Sequence, residues 1–438
     1  MMPENICGRR PHPGDLAVVM GAGRSGIAAT HLLLARGARV RLLEREAAVI
    51  SDKVRGQLHG LGAEIITGEH KPEHFENAAL VVPSPGIPVS KLESFINADG
   101  RVNAREPEIV AEMELAWRCL AGEPVLAVTG TNGKTTTASL AAAMLQAQGY
   151  TVFLGGNIGT PLSEYVLSGR KADVLILEVS SFQLQTCSTF CPRVGMLLNI
   201  SSNHLDYHQD MREYTEAKFR IFRCQDESDL AVLGAELRPL SRTFRLKARQ
   251  VYVENMDRFS QSRLLGAHNK LNMEAAWQAC RFFGVSEDKA LKAAADFEPL
   301  PHRLETIGER KGVMYVNDSK CTTVTALHVA LRAVEHPVRL LCGGKYKGGD
   351  LAALRDIVKK RVAEVALFGA SRDKFEKAWQ GLVPITWHEK LEPAVRLLSA
   401  HAQKGDVVLL APGTSSFDLY ANYMARGDDF KRIVEMLP

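Results

Sequence analysis

The chain has 438 residues, room for two to four domains at about 150 residues each, and its 46% hydrophobic and 24% charged content excludes a disordered chain. A net charge of +4, from 54 basic and 50 acidic residues, is too small a bias to point to nucleic acid. No apolar run of about eighteen residues occurs, so no transmembrane helix is expected.

Residues 1–15 are polar and proline-containing and lack the apolar region of a signal peptide. The eight cysteines (7, 119, 187, 191, 224, 280, 321 and 342) have no paired zinc-ligand spacing, so free thiols and a cytoplasmic setting are expected. Three α/β segments then follow, each opening on an apolar strand.

The first segment starts with the strand 16–20. The turn Gly21-Ala22-Gly23-Arg24-Ser25-Gly26 leads into a helix to about Arg36, which Gly37 ends. Residues 39–43 read as the second strand of a βαβ unit. The turn matches G-x-G-x-x-G, and Glu44 ends the next strand 18 residues past Gly26, where dinucleotide folds place a ribose-binding acid. Three readings fit: an NAD site, a site for another diphosphate such as UDP, or a helix-packing turn without ligand. After the strand Leu80-Val81-Val82, the rigid turn Pro83-Ser84-Pro85-Gly86-Ile87 can line the same crevice.

The second segment opens with the strand 124–128 and continues as Thr129-Gly130-Thr131-Asn132-Gly133-Lys134-Thr135-Thr136. The helix from Lys134 to about Gln148 is closed by Gly149. Glycines in such a loop let backbone N–H groups turn toward a phosphate, and the following helix presents its positive end to the same anion. Lys134 supplies a full charge near the terminal phosphates, and the Thr135 hydroxyl can ligate Mg2+. Val128 stands where the common phosphate-loop spacing has its first glycine, so the loop is the shorter G-x-x-G-K-T-T. By itself it leaves open whether the nucleotide drives a ligation, a motor or a switch.

Further strands are expected at 174–177 and 194–198. Glu178 sits at the end of the first, where α/β sheets place active groups, and a carboxylate beside a phosphate loop suits Mg2+. His204, in Asn203-His204-Leu205-Asp206, is either a metal or phosphate partner or a structural histidine. Lys218 ends the helical stretch Glu213-Tyr214-Thr215-Glu216-Ala217-Lys218 and, taken alone, reads as solvated.

The third segment follows Pro299-Leu300-Pro301, with strands at 313–316, 338–342, 365–368 and 407–410. Strands alternating with helical patterns predict parallel sheets covered by helices. The expected domains are 1–112, 113–300 and 301–438.

These motifs together resemble the Mur ligases. The resemblance runs in order over nearly the whole chain. Its carriers are the loop 21–26, Ser84-Pro85-Gly86-Ile87, the loop 129–136, Gly156-Asn157-Ile158-Gly159 and Glu178-Val179-Ser180-Ser181-Phe182-Gln183-Leu184. Then come Asn203-His204-Leu205-Asp206, Ala217-Lys218, Gly266-Ala267-His268-Asn269, Pro301-His302-Arg303, Asn317-Asp318-Ser319-Lys320, Gly343-Gly344 and Ser415-Ser416-Phe417-Asp418. The first loop and the two Ser-Ser-Phe runs favour the D-glutamate-adding member.

The resemblance implies three α/β domains: an N-terminal Rossmann-like UDP-binding domain, a central P-loop-like ATPase with a parallel sheet, and a C-terminal Rossmann-like domain. It implies a cytoplasmic, monomeric enzyme of peptidoglycan precursor synthesis, with no nucleic-acid partner and no insertion into a membrane. That enzyme joins D-glutamate to UDP-N-acetylmuramoyl-L-alanine through an acyl phosphate, with ATP and Mg2+. Lys134, Glu178, His204 and Lys218 would be catalytic, with Lys218 carbamylated and sharing the metal with Thr135, Glu178 and His204. ATP would lie on Gly130, Thr131, Asn132, Gly133, Lys134, Thr135 and Thr136, with Asn269, Asn272, Arg303, Asp318 and Lys320. The UDP-linked substrate would lie on Gly23, Arg24, Ser25, Glu44, Gly86 and Asn157, and the amino acid on Thr322, Lys347, Ser416 and Tyr423.

The chain departs from the family pattern at Ala411-Pro412-Gly413-Thr414-Ser415-Ser416, at Tyr423 where phenylalanine is common, and at Val232-Leu233-Gly234-Ala235-Glu236. The first two touch the amino-acid pocket. An L-glutamate-adding or other ligase, and a non-catalytic nucleotide-binding homologue, are the alternatives.

Overall fold

In the computed structural model, residues 12–96, 106–203, 207–334 and 336–437 are described. Strands β1 (Leu16–Met20), β2 (Arg39–Glu44), β3 (Glu64–Thr67), β4 (Ala78–Pro83) and β5 (Glu108–Ile109) make one sheet in the order β3-β2-β1-β4-β5. All its pairs are parallel. The order reverses between β1 and β4, so the loops after these two strands flank a crevice of the kind that receives ligands in open α/β sheets.

Strands β6 (Val125–Thr129), β7 (Val152–Gly156), β8 (Val174–Glu178), β9 (Val194–Leu197), β10 (Leu230–Gly234) and β11 (Arg249–Val253) make a second sheet, ordered β11-β10-β9-β6-β8-β7. It too is parallel throughout. Its middle strands are apolar runs buried on both faces, as a helix-covered parallel sheet requires. The helix Lys134–Gln148 begins at Gly133 and ends at Gly149, both left-handed.

The third sheet contains β12 (Glu305–Arg310), β13 (Val313–Asn317), β14 (Val338–Gly343), β15 (Val362–Phe368), β16 (Ile385–His388) and β17 (Val407–Leu410) in the order β12-β13-β17-β14-β15-β16. Here the parallel expectation needs correction, because β12 runs antiparallel to β13. The two are joined by Lys311 and Gly312 alone, both at positive φ. A two-residue hairpin turn leaves no room for the crossover a parallel pair needs. β17 returns between β13 and β14, so the loops after these three strands emerge side by side.

Residues up to 259 together with 271–294 form one compact unit, and 260–270 together with 295 onward form the other. The first two sheets share a unit. One apolar cluster runs through both, from Val19, Leu32 and Leu42 through Trp117 to Leu177 and Phe190. The seven described cysteines are free. Among the described residues no helix is long and apolar enough to cross a membrane.

Candidate active site

The phosphate loop follows β6, with Glu178 at the end of its neighbour β8 and Asn157 just beyond β7, the next strand out. The sheet register sets Glu178 level with Val128 and Gly156. Thr135 Oγ1 donates to Glu178 Oε2 at 2.7 Å, and Asn157 Nδ2 donates to Glu178 Oε1 at 2.8 Å. Glu178 is buried, so its carboxylate depends on these partners. Lys134 Nζ donates to Gly130 O at 2.9 Å and Thr131 O at 3.0 Å. Gly133 has φ +84°, and a Cβ there would stand 2.4 Å from Asn272 Oδ1, which packs the buried Asn272 directly against the loop.

Lys218 overturns the solvated reading. It lies on the helix Met211–Phe219 and is only 2% exposed. Its Nζ donates to Gly130 O at 2.9 Å, the carbonyl that Lys134 also uses. Burial, and then the Lys134 charge, push its pKa well below the ordinary lysine value, against the pull of Glu178. His204 falls outside the described residues.

Two further side chains support the loop. Tyr214, one turn before Lys218, shares a 3.0 Å hydrogen bond with Thr131 Oγ1 and holds its ring 4.6 Å from Lys218 Nζ. Asn199, just past β9, accepts from Asn132 N at 2.9 Å and donates to Asn132 O at 3.1 Å. Their signal in the sequence was position: Asn199 directly follows an apolar strand, and Tyr214 stands four residues before Lys218.

In the first crevice, Glu44 Oε2 accepts from Ala22 N at 2.7 Å and Glu44 Oε1 from Glu46 N at 3.2 Å, so this acid holds the glycine loop. Gly26 must be glycine, because a Cβ there would stand 1.9 Å from Gly21 O. Ser84 Oγ donates to Gly21 O at 3.3 Å, closing the turn 83–87 onto the loop. Gly23, Arg24 and Gly86 are exposed and Ser25 half-buried; Arg24 Nε lies 3.6 Å from Glu164 Oε1.

In the other unit, the loops after β13, β14 and β17 gather Asp318, Lys320, Lys347 and Ser416 at one edge of the third sheet. Lys345 and Ser415 pair as an antiparallel bridge. Asp318 Oδ1 accepts from Leu304 N at 3.1 Å, and burial pushes its carboxyl up to about 7, against that bond and Arg303. Lys320 Nζ lies 3.9 Å from the Tyr423 ring centroid, and Lys347 Nζ 5.5 Å from that of Phe417. Thr322 and Arg303 are half-buried, and Asn269 is buried with its Nδ2 donating to Leu265 O at 2.8 Å.

Phosphate loops serve motors and switches as well as ligases. A metal-suited carboxylate and a buried amine at the loop, with a further α/β sheet presenting cationic loops, are compatible with an ATP-dependent carbon–nitrogen ligase. The sequence matches the MurD-like N-terminal domain of Mur ligases over residues 15–101, the Mur ligase middle domain over 128–253, and the Mur ligase glutamate ligase domain over 302–414. A Desulfovibrio desulfuricans protein named UDP-N-acetylmuramoylalanine--D-glutamate ligase is 67% identical over 439 residues, covering all of both chains. Its namesake from Nitratidesulfovibrio vulgaris (strain DP4) is 61% identical over 97% of each. The chain belongs to the Mur ligase family.

Solved structures agree in fold. The MurF ligase of Thermotoga maritima in complex with ADP has a TM-score of 0.60 at 20% identity, covering 99% of this chain and 98% of that one. The folylpolyglutamate synthase of Mycobacterium tuberculosis complexed with ADP has a TM-score of 0.56 at 15% identity, covering 73% and 92%.

Proposed function

We propose that the protein uses ATP to join D-glutamate to UDP-N-acetylmuramoyl-L-alanine in cytoplasmic peptidoglycan precursor synthesis. The observation that carries the substrates is the 67% identity, end to end, with a ligase named for them. The site supports the chemistry. We take the domains to be 1–112, 113–300 and 301–438, since each span holds one of the three sheets.

The alanyl carboxylate is a poor electrophile because its charge repels an amine. Transfer of the γ-phosphoryl group to a carboxylate oxygen breaks the bond to the bridging oxygen of ADP and makes an acyl phosphate. Such transfers need positioning and charge neutralisation more than covalent help. The loop amides and Lys134 supply both, with Lys134 Nζ exchanging the Gly130 and Thr131 carbonyls for phosphate oxygens. The glutamate amine then attacks the carbonyl carbon, forming the C–N bond. Phosphate leaves with the C–O electron pair, and the amine gives up a proton.

Mg2+ fits the donor set, because Glu178 and Thr135 are hard oxygen ligands 2.7 Å apart. We assign its ligands as Thr135, Glu178, His204 and a carbamylated Lys218; bound there, it would neutralise phosphate charge. The lowered pKa of Lys218 favours the neutral amine. That amine adds its lone pair to the carbon of CO2 and releases a proton, leaving a carboxylate. Arg303, Asp318, Lys320, Asn269 and Asn272 are assigned to the nucleotide. Gly23, Arg24, Ser25, Glu44, Gly86 and Asn157 are assigned to the UDP-linked substrate. Lys347, Ser416, Thr322 and Tyr423 are assigned to glutamate, whose two carboxylates need cations and hydroxyls.

The test is phosphate release with ATP, Mg2+ and UDP-N-acetylmuramoyl-L-alanine, supplying each glutamate enantiomer in turn. Release that requires the D-enantiomer is expected. Release driven equally by L-glutamate would overturn the amino-acid assignment, and no release with any amino acid would overturn the reaction.

A further inference from the structure

Arg426 is wholly buried at the end of the first turn of the helix Tyr423–Glu435. Among the described residues no carboxylate lies within ion-pair distance of it. Its guanidinium is instead satisfied by two loops. Nε donates to Ser319 Oγ at 3.0 Å and Nη2 to Ser319 O at 2.9 Å, while Nη1 and Nη2 both donate to Thr414 O at 3.2 Å.

The bonds continue outward on both sides. Ser319 Oγ donates to Tyr423 O at 2.8 Å, tying the loop after β13 to the start of the same helix. Thr414 Oγ1 donates to Gly343 O at 2.6 Å, tying the loop after β17 to the end of β14. A Cβ at Gly344 would stand 3.1 Å from Arg426 Nη1, so that backbone lies against the guanidinium. One side chain thus fixes the loops that carry Asp318 and Lys320, Lys347, and Ser416.

A buried cation with no carboxylate in contact, attracted only at longer range by Asp418, costs stability, and an apolar side chain of similar volume would cost less. Packing alone therefore gives no reason for arginine here. The fork does, since a planar guanidinium holds two separate loops at once through several donors in one fixed geometry.

We propose that Arg426 is a positioning residue that locks the nucleotide loop 317–320 to the amino-acid loop 414–417, so that ATP and glutamate are held by one rigid edge. This rests on the substrate assignments proposed above. Loosening the lock weakens both sites together, and leaves the UDP-linked acceptor, assigned to residues of the other unit, unaffected.

The experiment is steady-state kinetics of the full-length enzyme with Arg426→Lys, which keeps the charge and loses the fork, alongside a melting midpoint for each variant. The KM values for glutamate and for ATP should each rise about tenfold, with KM for the UDP-linked acceptor within about twofold of wild type. A purely structural role would lower kcat with the folded fraction and leave every KM in place; that result, or equal rises in all three, overturns the proposal.

Should Arg426→Lys fail to fold, Ser319→Ala removes the Nε acceptor and leaves both carbonyls. KM for ATP and for glutamate should then rise together, about threefold, and a change confined to ATP overturns the coupling. A wild-type enzyme with no glutamate-dependent turnover would instead refute the proposed function.

Discussion

Replacing Lys218 by methionine should stabilise the fold and remove activity. The ammonium makes one good hydrogen bond, to Gly130 O at 2.9 Å, and a marginal one of 3.5 Å to Thr129 Oγ1. The good bond is worth about 1 kcal/mol net, and the Tyr214 ring at 4.6 Å adds about 1 kcal/mol. Against these stands the cost of burying the charge or of giving up its proton on folding, up to several kcal/mol for a charged group and increased by repulsion from Lys134. Methionine is unbranched and fills the same channel. Gly130 O keeps its bond from Lys134, so no acceptor is stranded. The balance is a gain of about 1–3 kcal/mol, at about 2–4 °C of melting midpoint per kcal/mol.

The sign also fixes a pH trend. A lysine whose folded pKa is depressed penalises folding while the unfolded chain is protonated, and the penalty disappears once pH passes the unfolded value near 10.5. The advantage of Lys218→Met should therefore be present at pH 7 and shrink as pH rises toward that value. Thermal melts in CO2-free buffer read the stability, and phosphate release with all substrates reads the activity. A variant that melts below wild type would refute the burial argument. One that keeps about a tenth or more of wild-type turnover would refute the catalytic one.

Lys218→Ala should lose activity by about a hundredfold or more and regain part of it with formate or acetate, whose carboxylates replace the carbamate; an undiminished rate without additive would sink the carbamate assignment. Asp318, with its folded pKa raised to about 7, favours folding below the unfolded value near 4, and that contribution is lost as pH rises through 7. Asp318→Asn should accordingly gain on wild type in melting midpoint between pH 4 and 7 while raising KM for ATP; a pH-independent difference would refute it. Gly26→Ala forces a Cβ against Gly21 O. It should cost about 1–3 kcal/mol and raise KM for the UDP-linked acceptor, leaving KM for ATP unchanged.

Strand position decided what the sequence disclosed. The apolar runs at 16–20, 124–128, 174–177 and 407–410 are interior strands, buried on both faces. Of the strands the sequence did not disclose, β3, β5, β7, β11, β12 and β16 are the six edges of the three sheets. An edge strand pairs on one side and is only partly covered, as in β3 and β12, where no residue is fully buried. Its sequence therefore need not carry a long continuous hydrophobic stretch. Interior β10 is the exception, since Leu230-Ala231-Val232-Leu233 satisfies the same criterion. The antiparallel start of the third sheet was hidden in the turn, where Lys311 takes a left-handed conformation uncommon for a lysine.

The site divides along a similar line. Loops whose function lies in local spacing are legible: the glycines, Lys134 and Thr135 act within a few residues of one another, and the helix that follows them begins at Lys134. Lys218 reaches the same loop from far along the chain, and no spacing rule links it to Gly130. Its helix does carry a signal. Tyr214, Ala217 and Lys218 stand at i, i+3 and i+4 and are all buried, while Arg212 and Glu216 on the same helix are exposed. A lysine at that phase is directed toward the protein, where its stem can follow the apolar face. The partner found is the carbonyl of Gly130, within the phosphate loop itself. Helical phase is thus the signal that the solvated reading of Lys218 passed over, and burial is what lowers the pKa on which its proposed carbamylation depends.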